Sequence, residues 1–314
     1  VMKKSILLLA SLMFLATFTS CFKDKDGEYK PKEKISRIFY DYGDGKELRE
    51  VWNWDNKLLK SIDHYDEGSL DWTEEFTYNK KDQVERVDCY AYGEYAEYTY
   101  DGSELSKVTY YEDNSIELEL SFKYDGKTMS EIEVMYFDYK RQNRLLNEGV
   151  NPLRTMLAEK PYKELQKIIN QADSREIISV KLEWENKNIS KMVLTEGAYT
   201  ETYEFEYDDK LSPFTNLYGL YSIVDIDLEQ IPFCKNNVTQ IRETESYEGE
   251  VYTDTEKYSY SYDGKFPTVK RHTYSYKIGG YYDWVWNEYT NEFEEVWIPE
   301  ETFTQTTSTY YEYE

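Results

Sequence analysis

The stretch Ser121-Phe-Lys-Tyr-Asp-Gly-Lys-Thr-Met-Ser-Glu-Ile132 (SFKYDGKTMSEI) carries the outline that decides the fold. It reads aromatic, polar, aromatic, then Asp or Asn, then Gly, Asn or Lys, after which the apolar pattern restarts. The same outline returns at 52–62, 76–87, 98–108, 182–192, 205–214 and 260–269. Neighbouring copies sit roughly 22–24 residues apart, room for two short strands and two turns.

One copy is a β-hairpin by its chemistry. Asp-Gly and Asp-Asn supply the positive φ of a tight type I′ turn, which matches the twist of the flanking strands. Before each turn the residues alternate. Ile116, Leu118, Leu120, Phe122 and Tyr124 point one way, and Glu117, Glu119, Ser121 and Lys123 the other. Leu70, Trp72, Phe76 and Tyr78 form a second such face; Ile178, Val180, Leu182 and Trp184 a third. Tyr203, Phe205, Tyr207 and then Tyr258, Tyr260, Tyr262 continue it. One aromatic-aliphatic face and one Glu/Thr/Ser/Lys face on every strand predict an antiparallel meander with one buried side. The expected fold is all-β: a single domain over 35–314, barrel-like or a strongly curved sheet.

Two intervals break the rhythm, with insertions at about 138–176 and 209–237. In the first, Asn151-Pro152 and Pro161 open helical patterns, and Tyr162, Leu165, Ile168, Ile169 and Ala172 share a face, so a short helical insertion is expected. The second runs through Leu211-Ser-Pro-Phe214 to Lys235-Asn-Asn-Val-Thr-Gln-Ile241 as an excursion between paired strands. The repeated Tyr-Asp-Gly-Lys turns, the Ser-Pro-Phe excursion and the returning Lys-Asn-Asn-Val-Thr-Gln-Ile resemble the YD-repeat-like lipoproteins of Bacteroidetes, over roughly residues 35–275. That resemblance implies a domain of unknown function with a β-barrel-like sheet and no assigned catalytic residues.

The N-terminus carries a second signal. Lys3 and Lys4 precede an apolar run from Ile6 to Ala16, the build of a secretory leader, and Phe18-Thr-Ser-Cys21 follows. This segment resembles the lipobox of bacterial lipoproteins, with Phe18 in place of the usual aliphatic residue. The resemblance implies a signal peptide over 1–20 removed by signal peptidase II, and diacylglyceryl transfer to Cys21. Dual acylation is what stable anchoring requires. The alternative is an ordinary cleaved leader with a coincidental cysteine. Lys23-Asp-Lys-Asp26 resembles the export signal that places Bacteroidetes lipoproteins on the outer face of the outer membrane; the periplasmic face is the alternative. Residues 21–34 read as the lipidated cysteine and a flexible tether.

Composition narrows the partners. With 62 acidic against 37 basic residues the net charge is −25, which disfavours nucleic acid and anionic membrane surfaces. The 34 tyrosines suit strands, since each ring combines an apolar body with a polar tip. A membrane-spanning barrel is not expected. The strands read as about five to eight residues, short of the roughly nine to eleven that a tilted spanning strand needs.

No motif for a cofactor, a metal or catalysis is present, and none of the three is expected. His64 and His272 stand apart from any Cys/His/Asp cluster and read as structural. Asp225, Asp227 and Glu229 alternate but lack the glycine and terminal glutamate of a calcium loop. Cys89 and Cys234 are expected to be free, buried thiols. The most suggestive segment lies near the C-terminus: Trp284, Trp286 and Tyr289 with Asn287 have the residue types of a sugar platform. Against this, period two makes Trp284 and Trp286 plain core residues of the last hairpin. The expected function is therefore a non-catalytic, membrane-anchored binding or accessory module for a glycan or an envelope protein. The alternatives are an assembly lipoprotein without a small-molecule ligand and, last, a surface hydrolase.

Overall fold

Alternation carried through hairpin after hairpin ends in closure of the sheet on itself. The structure is a computed structural model that describes residues 28–89, 93–137, 177–196, 199–217, 233–247, 250–278, 281–287, 292–298 and 301–314. Its strands are β1 (Ile35–Asp41), β2 (Glu47–Asp55), β3 (Leu58–Asp66), β4 (Ser69–Tyr78), β5 (Val84–Cys89), β6 (Glu94–Asp101), β7 (Glu104–Glu112), β8 (Ser115–Asp125) and β9 (Thr128–Tyr136). They continue as β10 (Ile177–Glu185), β11 (Asn188–Glu196), β12 (Tyr199–Leu211), β13 (Asn236–Tyr247), β14 (Glu250–Asp263), β15 (Phe266–Ile278), β16 (Tyr281–Asn287), β17 (Glu292–Ile298) and β18 (Glu301–Tyr313). Sixteen of these form one closed antiparallel barrel in sequence order, with β18 pairing both β15 and β1. β16 and β17 pair only with each other, as a two-stranded ribbon between β15 and β18. The helical insertion expected over 138–176 lies outside the described residues.

Alternate turns of a meander share one end of a barrel, so the repeated motifs gather at the end where β2 meets β3 and β8 meets β9. Type I′ geometry, with positive φ at both central residues, occurs at Asn186-Lys187, Glu67-Gly68 and Asp113-Asn114. In the Asp-Gly copies it does not. Asp125 is the last residue of β8 and pairs with Thr128, and Gly126 alone has positive φ, at +64°. That sign pattern is the one a type II′ turn shows, with glycine at the first central position.

The aromatic residue just before these turns has a second task. Trp54 Nε1 donates to the Ile35 carbonyl at 2.7 Å, Tyr78 Oη to Leu59 at 2.7 Å, Tyr100 to Val84 at 2.8 Å and Tyr124 to Leu105 at 2.9 Å. Trp184 Nε1 continues to Met129 at 2.5 Å, Tyr207 to Ile189, Tyr260 to Val238 and Tyr313 to Pro267, the last three at 2.7 Å. Each acceptor sits just past the turn of the preceding hairpin, opposite that hairpin's own aromatic in the register of most copies. Tyr313 and Ile35, which pair across the β18–β1 seam, complete the circle. The ring is thus a continuous chain of side-chain donors and backbone acceptors around one end of the barrel. A one-residue bulge beside each pairing, as between Asn53 and Trp54 or between Lys123 and Tyr124, bends the strand there.

The aromatic-aliphatic face is the inner one. Trp52, Ile62, Phe76, Val87, Tyr98, Leu120, Phe122, Leu182, Phe205 and Ile241 are buried in a single core that fills the barrel. Outside stand charged residues such as Glu97, Lys123, Glu204, Arg242 and Arg271. A barrel in lipid has the reverse polarity, and a Lys or Arg at the bilayer midplane costs about 2–4 kcal/mol. This polarity, and not strand length, marks the outer wall as solvated: β12, β15 and β18 run to 13 residues, longer than expected.

Two expected core residues are turned out. Leu70 is 57% exposed and Ile116 is 39% exposed. Register shifts between His64 and Tyr65 and between Tyr110 and Tyr111 precede them, and a one-residue slip moves a side chain to the other face. The skipped Glu117 is buried instead. Further carboxylates occupy inward positions: Glu50, Glu74, Glu94, Glu112 and Glu201 are buried toward the far end of the barrel. Two of them accept from an aromatic two residues on: Trp52 Nε1 donates to Glu50 at 2.7 Å and Tyr203 Oη to Glu201 at 2.8 Å. His64 stacks on Trp72 with centroids 3.6 Å apart, and His272 stacks on Tyr258 at 4.7 Å, so both histidines are core residues. Cys89 and Cys234 are buried and form no disulfide among the described residues, and burial pushes the Cys234 thiol up to about 12.

Tyr78→Phe removes one ring donor and leaves the Leu59 carbonyl short of a partner. It should lower stability by about 1 kcal/mol, read as a shift in the urea midpoint at constant slope. Burial raises the ring phenols, Tyr78, Tyr207 and Tyr313 among them, above the ordinary tyrosine value. A raised folded pKa gives stability that is complete below the unfolded pKa and lost above it, so unfolding should set in as pH rises past about 10, followed by circular dichroism. A thiol reagent should label neither Cys89 nor Cys234 in the native protein and both after denaturation, counted by mass.

Candidate functional site: a lysine-lined groove around the plugged end

The motif end of the barrel is plugged. The excursion after β12 turns inward, burying Phe214 against Trp52 and Tyr311 with centroids 6.3 and 5.9 Å apart. On its return Phe233 meets Phe122 edge-on at 6.1 Å. Tyr29, in the segment expected to be free tether, is 1% exposed; its hydroxyl donates to the Pro213 carbonyl at 2.8 Å and its ring packs on Trp54. From Glu28 onward the chain is therefore part of the fold, because an aromatic ring finds apolar cover in the barrel mouth.

Backbone-directed hydrogen bonds pin the plug. Asn188 Oδ1 accepts from the amides of Lys235 and Asn236 at 2.9 and 3.0 Å, and Thr215 Oγ1 donates to the Cys234 carbonyl at 2.7 Å. The Asn237 side chain donates to Asp208, which also accepts from the Tyr262 hydroxyl. The Lys-Asn-Asn-Val segment is thus structural, holding the excursion's return to the rim.

Between plug and turns lie two adjoining cavities of about 540 and 330 Å³ that share Lys187, Thr215, Asn216 and Lys235. Together they make a groove whose size suits a drug- or sugar-sized ligand. Tyr124, Trp184, Met129 and Phe233 form an apolar stretch of its wall. Along the larger cavity stand Lys30, Lys32, Lys187, Lys210, Lys235 and Lys265, against two acids, Glu28 and Asp209. Lys30 is held by Asp82 at 2.6 Å and Glu28 at 2.9 Å, which raise its ammonium above the usual value, and Lys210 lies 3.7 Å from Asp209. Lys187, Lys235, Lys265 and the neighbouring Lys127 are exposed and make no ion pair among the described residues. A chain of net charge −25 therefore contains a locally cationic concavity.

The residues singled out in the sequence fall elsewhere. Cys21 and Tyr289 lie outside the described residues, as do Asp225, Asp227 and Glu229. Trp284, Trp286 and Asn287 lie on β16, in register with Glu295, Phe293 and Glu292 of β17, so they belong to the ribbon and not to the barrel wall. Among the described residues no group of His, Cys, Asp and Glu is arranged to hold a metal ion. The groove lysines were missed because they are scattered along the chain. Part of their signal is positional: Lys127, Lys187 and Lys265 each stand two residues after an acidic residue at a turn, and these turns share one end.

No protein-family model matches the chain, and no curated protein matches it. The resemblance to YD-repeat-like lipoproteins thus rests on the turn and excursion motifs. Among solved structures the chain is similar to a porin-like protein from Bacteroides uniformis, at 12% identity over 88% of this chain and 98% of that one, with a TM-score of 0.46. It is also similar to a porin-like protein from Bacteroides vulgatus, at 11% identity over 90% and 99% of the two chains, with a TM-score of 0.40.

Proposed function

We propose that the protein is a non-catalytic binding module of the bacterial envelope, held to the outer membrane by lipid on Cys21, with its ligand site in the lysine-lined groove. One observation carries this reading: the groove reverses the charge of the molecule around it. Solvated lysines spaced around a concavity with an aromatic flank attract an anion and give its apolar faces a surface to lie on. The ligand class this fits is an acidic saccharide, with carboxylate, sulfate or phosphate groups on the lysines and a sugar face on Tyr124 or Trp184. Among the described residues the two acids of the groove, Glu28 and Asp209, each lie against a lysine, which weighs against the hydrolase alternative and its pair of opposed catalytic carboxylates.

A second reading places binding on the β16–β17 ribbon, favoured by Trp284 and Trp286 standing outside the barrel sheet. Titration with a sulfated or uronate oligosaccharide separates the two. Lys187→Gln with Lys235→Gln should weaken binding about tenfold or more, with a matching loss of salt dependence, while Trp284→Ala with Trp286→Ala leaves it unchanged. The opposite pattern would move the site to the ribbon.

A further inference from the structure

The place where the chain enters the barrel orients the whole molecule. Glu28, the first described residue, forms part of the groove wall, and six residues separate it from Cys21. Fully extended, that connection spans at most about 25 Å. A lipid on Cys21 would therefore hold the motif end, and no other part of the barrel, beside the bilayer surface. Resting on the lipid-anchored reading above, we propose that the groove end docks on the leaflet that carries the anchor, with Lys127, Lys187, Lys235 and Lys265 against the phosphates of anionic lipid headgroups.

The distribution of charge supports this orientation. The unpaired lysines face the anchor side, where each cation near an anionic surface adds to attraction that fades within a Debye length of about 8–10 Å. Turns at the far end present Asp44, Asp66, Glu67 and Asp113 against Lys46, whereas at the motif end Asp125, Glu185 and Asp263 are each followed two residues on by an exposed lysine. The net charge of −25 argues against membrane contact only when it is taken as evenly spread. Here the groove gathers exposed lysines on the side that the anchor would hold to the bilayer. The anion that the groove meets at the membrane is then a headgroup phosphate, the same acidic chemistry for which the groove suits a saccharide.

The test uses full-length lipidated protein reconstituted in phosphatidylcholine vesicles with and without phosphatidylglycerol. A fluorophore is placed on Lys57→Cys at the motif end or Asp44→Cys at the far end; the native thiols Cys89 and Cys234 are buried and do not compete. Nitroxide on the lipid headgroups should quench the motif-end label about threefold more strongly than the far-end label. Phosphatidylglycerol should raise that quenching, and Lys187→Gln, Lys235→Gln and Lys265→Gln together should remove the increase. Equal quenching at both ends, or motif-end quenching indifferent to phosphatidylglycerol and to the lysines, overturns the proposal. Anchoring is scored separately by lipid mass on Cys21, absent in Cys21→Ala. If native Cys21 carries no lipid, the anchoring reading fails, and flotation of the same chain with phosphatidylglycerol vesicles decides the lysine contact: salt-sensitive binding lost in the triple variant sustains it, and no binding overturns it.

Discussion

Everything in this barrel depends on a phenol or indole reaching sideways to its neighbour's backbone. Strand pairing holds each hairpin to the next through ladder bonds, but it leaves the curvature of a sixteen-stranded sheet free. The Tyr and Trp ring fixes that curvature at one end, since each side chain bonds only if the adjacent hairpin stands at the right distance and tilt. Bulges beside the paired aromatics bend the strands locally, and the rings then occupy the space the bend creates. At about 1 kcal/mol per bond, the ring as a whole is of the same order as the net stability of a domain.

Closing the sheet with the aromatic side inward sets the rest. Among the described residues the interior is a packed core in which Trp52, Phe76, Tyr98, Phe122 and Phe205 are buried. The outer wall, rich in Glu, Lys and Thr, is the surface a barrel presents to water. One mouth takes the excursion and Tyr29 as its plug, and where plug meets wall the fit is incomplete, leaving the groove. Three of the lysines come there through turn chemistry: Lys127, Lys187 and Lys265 each follow the Gly or Asn of a hairpin turn at that end. The groove is thus a by-product of the repeat made useful by its charge.

Much of this was legible in the sequence. Period-two alternation and turn spacing are local signals, so the all-β class, the hairpins and the inward aromatic face follow from residues such as Leu118 to Tyr124. Other features needed coordinates because they depend on register. Glu74 lies in phase between Trp72 and Phe76, yet a glutamate is read as solvated until the barrel surrounds it. Leu70 and Ile116 were placed inside because a bulge leaves no mark in an alternating pattern. The burial of Tyr29 joins it to Pro213, a contact far apart in sequence, and no periodicity announces it. The site lysines lie far apart along the chain and meet only because alternate turns share an end.

The β1–β18 seam has a consequence for how the molecule comes into being. The strands that close the barrel are the first and the last described, so the two edges meet only when all the strands between them are present. Until then β1 and β15 each offer a row of unpaired amides and carbonyls, the kind of edge that recruits stray strands. Contacts of such sequence separation form slowly, so the unfinished barrel is exposed for longer than a protein built from local contacts. Its acidic outer wall, idle in the finished molecule, is then a safeguard, keeping half-closed copies apart by mutual repulsion until the last strand arrives.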